Sequence, residues 1–323
     1  AADPAPAAGA MHAVATADAS PADRIEHTLG GMDAPPLPHA APVETAQWPG
    51  HVALDDRIDC IVTLECARPV NGMDAIAAAR GLLGDGWVKP VRWEGGDADA
   101  GTWGPLTPEQ RYAHVRAGVQ LADRSGPVTE AELEAFFEGM QEAALALAGD
   151  ADYPDHDAAL AAARALDAFC ADVDVQIGLN VIATADQPFA GTKLRALAEA
   201  GGLRLADDGM FHRFDEAGHE LFSLANGEAP AFHPETLRTL ATHGVTVMLD
   251  VPRAPGSAST FRLYLDFARQ LEQALGGMLV DDHKKPVGQA ALDTIGRQLD
   301  QLYRAMDAQG IPAGSPAALR LFA

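Results

Sequence analysis

Residues 175–181 of the chain read Val175-Gln176-Ile177-Gly178-Leu179-Asn180-Val181, so apolar residues alternate with polar or small ones. A period of two is typical of a β-strand with one face on a core and the other face open. The pattern recurs in residues 244–251, and residues 257–275 then show the spacing of an amphipathic helix. We therefore predict an α+β fold in which helices cover one face of a mostly antiparallel sheet.

The preceding part of the chain repeats this order of strand and helix signals. Residues 58–65 alternate like a strand, and Thr129 with Glu132 has the spacing of a capping box at the start of a helix. Short sequence echoes pair residues 118–121 with 244–247, 146–149 with 274–277, and 164–167 with 297–300. Because the echoes keep the same order, they predict two tandem copies of one split βαβ unit.

Composition divides the chain into four parts. Residues 1–54 hold eight of the 22 prolines among many alanines, which predicts a disordered Pro/Ala-rich linker. A first unit at residues 55–170, a second unit at 171–310 and a C-terminal tail at 311–323 follow. The chain begins with Ala1 rather than Met, which is expected if a signal peptide, a membrane anchor or an expression boundary lay before it.

Charge and cysteine usage exclude several classes. The 323 residues carry 23 Lys and Arg against 46 Asp and Glu, a formal net charge of -23 that repels the phosphates of nucleic acid. No apolar run reaches the roughly 20 residues needed to cross a bilayer. The three cysteines, Cys60, Cys66 and Cys170, are an odd number, which favours core thiols in a reducing compartment over disulfides.

Motifs for catalysis are missing, and no cofactor is expected. The chain has no phosphate-binding glycine loop, zinc-protease motif, Cys-x-x-Cys pair or nucleophile elbow. One loop, Asp281-Asp282-His283-Lys284-Lys285, concentrates carboxylates and an imidazole. A metal-dependent hydrolase at this loop is the alternative from another functional class, but it needs further ligands that no spacing indicates. A solvated charged connection, in a protein that is not an enzyme, is favoured.

The open face of the second sheet is the more informative feature. The buried set is predicted to contain Leu179, Val181, Val245 and Val247. The opposite parity mixes small and polar residues with Met210 and Met248. Such a face suits either an ordinary polar surface or a shallow apolar groove for a peptide, and the residues alone leave both open.

Several motifs of the second unit resemble the C-terminal domain of the ZipA family of bacterial cell-division proteins. In order they are Phe211-His212-Arg213-Phe214, Leu221-Phe222-Ser223-Leu224-Ala225-Asn226, Phe232-His233-Pro234-Glu235, Gly244-Val245-Thr246-Val247, Asp250-Val251-Pro252 and Gly276-Gly277-Met278-Leu279-Val280-Asp281-Asp282. With the strand at 175–183, the likeness covers about residues 173–309. The first unit looks like a diverged copy of the same domain.

The resemblance implies an adaptor of the divisome rather than an enzyme. Family members have an N-terminal membrane helix, a Pro-rich linker and a cytoplasmic domain whose exposed sheet face binds the C-terminal tail of FtsZ. This links the division ring to the inner membrane. By resemblance, the protein is expected at the cell inner membrane with a single span, this chain lying on the cytoplasmic side. Its membrane attachment would come only from a missing N-terminal anchor.

Carried over by position, the resemblance implies a peptide-binding groove with nine residues: Gln176, Gly178, Asp208, Met210, Ala225, Gly227, Thr246, Met248 and Lys284. Four of these positions are polar or small where the family has larger apolar side chains, namely Gln176, Gly178, Asp208 and Gly227. This predicts weaker binding, a different FtsZ tail, or binding shared with the first unit. Another interpretation makes the first unit a binding module for a different division protein.

Overall fold

A computed structural model of the chain describes residues 53–82, 89–97, 102–184, 187–256 and 258–323. The predicted linker therefore lies outside the described residues, except for Ala53 and Leu54. The first unit has helices α1 (Gly72–Leu82), α2 (Glu130–Ala146) and α3 (His156–Val173). Its strands are β1 (Asp59–Asn71), β2 (Val91–Asp97), β3 (Trp103–Gly104), β4 (Arg111–Gln120), β5 (Ala122–Asp123), β6 (Gly126–Pro127) and β7 (Gly149–Asp152).

The second unit follows directly. Its strands are β8 (Gln176–Ala183), β9 (Phe189–Ala190), β10 (Leu203–Leu205), β11 (Phe211–Phe214), β12 (Glu220–Asn226), β13 (Ala241–Thr242), β14 (Gly244–Asp250) and β15 (Gly277–Val280). Its helices are α4 (Gly191–Ala200), α5 (Ala258–Leu275) and α6 (Gln289–Ala308), and a short α7 (Pro316–Leu321) ends the chain. None of the helices in the described ranges has the length and apolarity needed to cross a membrane.

Two antiparallel sheets organise the molecule and confirm the predicted α+β class. The first has the strand order β3-β2-β4-β1-β7 and the second β10-β11-β12-β14-β8-β15. Burial alternates along β14, so Val245, Val247 and Leu249 are inside while the residues between them are half-exposed. Helix α5 packs on this inner face, where the hydroxyl of buried Tyr264 lies 3.0 Å from the carbonyl oxygen of Ile177 on β8. The predicted core parity of the second sheet is therefore confirmed.

Each sheet has its own core. The thiol side chains of Cys60, Cys66 and Cys170 are buried in the first core, as predicted. Burial, with a smaller effect of the neighbouring Asp59 charge, raises the pKa of Cys60 to about 12. A thiol held in its protonated form is a poor nucleophile and a poor metal ligand. The three cysteines therefore act as small core side chains in this structure.

Residues 311–323, set apart above as a tail, fold back onto the first unit. Ile311, Ala318, Leu321 and Phe322 are buried in the first core rather than the second. The structure differs here from the expectation of a tail because α7 presents an apolar face that the first core accommodates. Arg320 of α7 also forms a buried ion pair with Asp59 of β1. The C-terminus thus packs on the first unit, and Arg320 contacts Asp59 although 261 positions of sequence separate them.

The two units share a strand order that the duplication hypothesis requires. In both sheets the first strand of the unit, β1 or β8, lies between a long antiparallel partner, β4 or β14, and the last strand, β7 or β15. The three sequence echoes also fall on equivalent elements: β4 with β14, the junction of α2 and β7 with that of α5 and β15, and α3 with α6. Duplication stays a prediction, which this correspondence supports.

Arg124 joins the two units. Its guanidinium lies 2.8 Å from the carboxylate of Asp174, in the connection between the units, and 2.9 Å from that of Asp250 on β14. Burial raises the pKa of Asp250, although the Arg124 charge opposes this shift. Arg253, just after β14, donates to the carbonyl oxygen of Phe322 at 2.7 Å. These contacts place α7 beside one end of the second sheet.

Candidate peptide-binding face

Strand pairing brings most of the predicted groove residues together on the open face of the second sheet. Met248 on β14 pairs with Gly178 on β8 and with Ser223 on β12. One step along, Thr246 pairs with Ala225 of β12 and with Asn180 of β8. Residues directly opposite one another on neighbouring strands lie about 4.5 to 5.5 Å apart at Cβ. Gly178, Ala225, Thr246 and Met248 therefore form one continuous surface.

This surface is polar at one end and apolar at the other. Thr246 donates its hydroxyl hydrogen to Oδ1 of Asn180 at 2.7 Å, and Nδ2 of Asn180 donates to Asp282 at 3.3 Å. The half-buried Met248 and Met210 lie toward the opposite end, where buried Leu221 adds apolar surface. The polar end of the face is thus formed by the hydrogen-bonded row from Thr246 through Asn180 to Asp282.

A cavity of about 270 Å³ occupies the apolar end. Four of the predicted groove residues line it: Gln176, Asp208, Met210 and Met248. A cavity of this size accommodates a bulky apolar side chain, and concave apolar sites with a few polar groups are typical ligand sites. Gln176 is held at the edge because its amide donates to Asp250 at 3.1 Å. The open face thus has one recess that can hold an anchor residue.

His212 forms a polar wall of the cavity that the sequence analysis left out of the groove. Its Nε2 lies 2.9 Å from Asp208 and its Nδ1 lies 2.8 Å from Glu220. These hydrogen bonds, first of all that to Glu220, raise the pKa of His212, although its burial opposes the shift. The protonated ring can donate to both carboxylates at once. Asp208, predicted to be in the groove, is therefore also a support for the His212 ring.

Gly227 and Lys284 lie at the margins. A Cβ on Gly227 would stand 3.0 Å from the backbone of Gly244, and its own N–H donates to the Gly244 carbonyl at 3.0 Å. The glycine therefore permits a close approach of two backbones. Lys284 is exposed, with a left-handed φ of 57° in the turn after β15, and it does not line the cavity. The structure thus separates these two residues from the recess, although both flank the open face.

The loop at residues 281–285, considered above as a metal-dependent hydrolase site, is a turn. Its Asp281 carboxylate already accepts hydrogen bonds from the turn's own backbone. Oδ1 of Asp281 accepts hydrogen bonds from the backbone N–H groups of His283 at 2.9 Å and Lys285 at 2.8 Å. Asp282 accepts from Asn180, and burial raises the pKa of its carboxyl group. Within the described ranges, no group of three His, Cys, Asp or Glu side chains is placed to hold a metal ion. Among the residues that the structure describes, none supplies a second ligand set to this loop.

The corresponding face of the first sheet is partly covered by its own chain. Leu54 is buried there: its N–H donates to Oε1 of Glu94 at 3.0 Å, and a Cβ on Gly118 would stand 2.6 Å from its side chain. Glu94 also pairs with Arg116, whose guanidinium carbon lies 4.2 Å from the ring centroid of Trp103. The open face of the first sheet is therefore partly covered, whereas the open face of the second sheet has an uncovered recess.

Comparisons with known proteins agree with this geometry. Residues 175–298, which include the whole open face, match the family model described as "ZipA, C-terminal FtsZ-binding domain". The second unit is therefore similar to the C-terminal domain of the ZipA family. The resemblance seen in the sequence is confirmed over this range. That the first unit is a diverged ZipA domain stays a prediction.

Curated relatives named cell division protein ZipA are similar to part of the chain. The Marinobacter nauticus protein is 27% identical over 135 residues, covering 41% of this chain and 40% of the relative. The Vibrio cholerae protein is 31% identical over 130 residues, covering 39% and 44%. The Vibrio vulnificus protein is 33% identical over 116 residues, covering 33% and 36%. The match therefore spans about two fifths of the length of these ZipA relatives.

Proposed function

We propose that this protein is a cell-division adaptor whose second unit binds the C-terminal tail of FtsZ on the open sheet face. The observation that carries the proposal is the cavity beside Met210 and Met248, two residues that lie within the range matched by the FtsZ-binding domain. An extended tail laid along the face would place one apolar anchor in this recess. In interfaces of this kind a few buried anchors supply most of the affinity.

The proposed role is binding rather than catalysis. The loop at Asp281 is organised as a turn, and the cavity has hydrogen-bonded carboxylates rather than an activated nucleophile. We further propose that the adaptor links the division ring to the inner membrane. This part rests on the family resemblance, and cell fractionation of the full-length protein tests it.

Replacing Met248 with Glu tests the site. The change puts a carboxylate at the mouth of the cavity, which already contains the carboxylates of Asp208 and Glu220. Burying such a group under a peptide costs at least about 1.4 kcal/mol, or tenfold in affinity. We expect the dissociation constant for a fluorescent FtsZ tail peptide, measured by anisotropy, to rise at least about tenfold. Met248 is half-buried, so the melting temperature should change little.

Met73→Glu is the matched control. Met73 is 61% exposed in the first turn of α1, where an added carboxylate is compatible with the helix dipole. This variant should bind the peptide like the original protein. Equal affinities of the two variants would exclude the open face as the site. Failure of the unaltered protein to bind any FtsZ tail peptide would exclude the function itself.

A further inference from the structure

One wall of the cavity comes from outside the matched ZipA domain. Leu319 of α7 lines the recess together with Arg253 and Ala254, which lie just after β14. The match ends at residue 298, whereas α7 begins at Pro316 and packs on the first unit. A ZipA domain limited to the matched range would have this recess open on that side.

The position of Leu319 is set by contacts on both sides of it. Ala318 and Leu321 are buried in the first core, and the carbonyl of Phe322 accepts the hydrogen bond from Arg253. The hydroxyl oxygen of Ser315 caps α7 by accepting from the N–H of Ala318 at 3.2 Å. Leu319 itself is half-buried and does not belong to the first core. The contacts of these neighbouring residues therefore hold the Leu319 side chain at the cavity.

We propose that α7, anchored on the first unit, completes the peptide site, and that Leu319 contacts the apolar anchor of the bound tail. This inference rests on the proposed function and adds a specificity-determining residue to it. The first unit then contributes to recognition indirectly, by holding α7 in place. A bulky anchor then gains apolar contact with Leu319 as well as with Met210 and Met248, whereas a slender anchor leaves a gap at Leu319.

The charge of the rim favours an anchor with a basic neighbour. Three carboxylates line the recess, those of Asp208, Glu220 and Asp250, against the two basic groups of His212 and Arg253, and the side chains of Asp208 and Glu220 are 43% and 41% exposed. The whole chain carries a net charge of -23, which disfavours an acidic peptide. The occupant to which the proposal commits is therefore an FtsZ tail segment with a bulky apolar side chain beside Lys or Arg.

Two substitutions at Leu319 in the full chain test the wall. Leu319→Trp places a larger ring in the recess and should weaken binding of the FtsZ tail peptide at least about tenfold by excluding the anchor. Leu319→Ala removes apolar contact and should weaken binding about three- to tenfold. Leu145→Trp is the matched control, because Leu145 is 78% exposed on α2 and should leave the affinity unchanged.

The outcomes separate this inference from the proposed function. If Met248→Glu abolishes binding while both Leu319 variants bind normally, the FtsZ site stands and the role of α7 is overturned. Tighter binding by Leu319→Ala would also overturn it, since α7 would then obstruct the recess. No peptide binding by the unaltered protein would overturn both. A peptide with its basic residues changed to Gln should bind more weakly to the unaltered protein, and equal binding would overturn the acidic-rim part.

Discussion

His212 lies between Asp208 and Glu220, with both ring nitrogens within 2.9 Å of a carboxylate oxygen, and its ring stacks on Phe214 at 6.1 Å between centroids. The pKa of His212 is raised, chiefly by the hydrogen bond to Glu220. A histidine with a raised pKa in the folded state stabilises the fold fully below its unfolded value of 6.5. The contribution is lost as the pH rises through the folded-state pKa. The stability that His212 contributes at the edge of the recess therefore depends on pH.

We predict that His212→Gln lowers the melting temperature most at about pH 5.5 and progressively less toward about pH 9, because only the protonated ring satisfies both carboxylates. Thermal unfolding followed by circular dichroism across this range measures the difference. His219→Gln is the matched control, since His219 has one carboxylate partner, Asp215, and a side chain 43% exposed. A His212→Gln effect that does not decline with rising pH would contradict the assigned protonation.

At the scale of elements, α2 begins with the capping box expected from sequence. The hydroxyl oxygen of Thr129 accepts from the N–H of Glu132 at 3.3 Å, and the Glu132 carboxylate accepts from the N–H of Thr129 at 2.8 Å. Buried Leu133, Phe136 and Met140 follow on one side of the helix. The capping box and the apolar stripe both indicate a helix that begins at this point, which is why α2 could be predicted from the sequence.

Thr129→Ala should lower the free energy of unfolding by about 1 kcal/mol, because it leaves a helical N–H without its acceptor. Thr129→Ser keeps the hydroxyl oxygen and should retain most of that stability. Urea unfolding of both variants measures the difference. Peptide binding should be unchanged in either variant, because α2 is remote from the open face of the second sheet. Equal losses in the two variants would contradict the capping role.

At the scale of the whole molecule, α7 connects the two units. Its residues fill the first core, while Leu319 lines a recess on the second sheet. The ring of Phe322 lies 5.8 Å from the guanidinium carbon of Arg124, which itself joins Asp174 and Asp250. Cutting the chain between residues 170 and 171 would separate the first core from its C-terminal part. Functional tests of the two units are therefore better made with substitutions in the intact chain.

Phe322→Ala should destabilise the first unit by about 3 to 5 kcal/mol, the usual cost of emptying a core phenylalanine site. Phe322 is fully buried, whereas Phe214, 42% exposed, is the matched control and should cost far less. Chemical denaturation followed by tryptophan fluorescence reports on the first unit through Trp93. If the two variants lose equal stability, the packing of the C-terminus on the first core is wrong.

The sequence by itself determined the α+β class, the inner and open faces of strands β8, β12 and β14, and the ZipA resemblance. Alternation along a strand states which side chains are inside, and pairing then places Gly178, Thr246 and Met248 side by side. The glycine at 227 shows the limit of this reasoning, because position alone does not distinguish a groove residue from one that admits a neighbouring backbone.

Only the tertiary structure decided which partner each apolar stripe meets. The sequence shows only that Leu321 and Phe322 are apolar, which suits packing on either unit. In the structure both side chains pack in the core of the first unit. Long-range pairs such as Arg320 with Asp59 leave no periodic signal in the sequence. Burial is a property of surfaces that meet in space, so the recess closed by Leu319 could not be read from residues lying far apart along the chain.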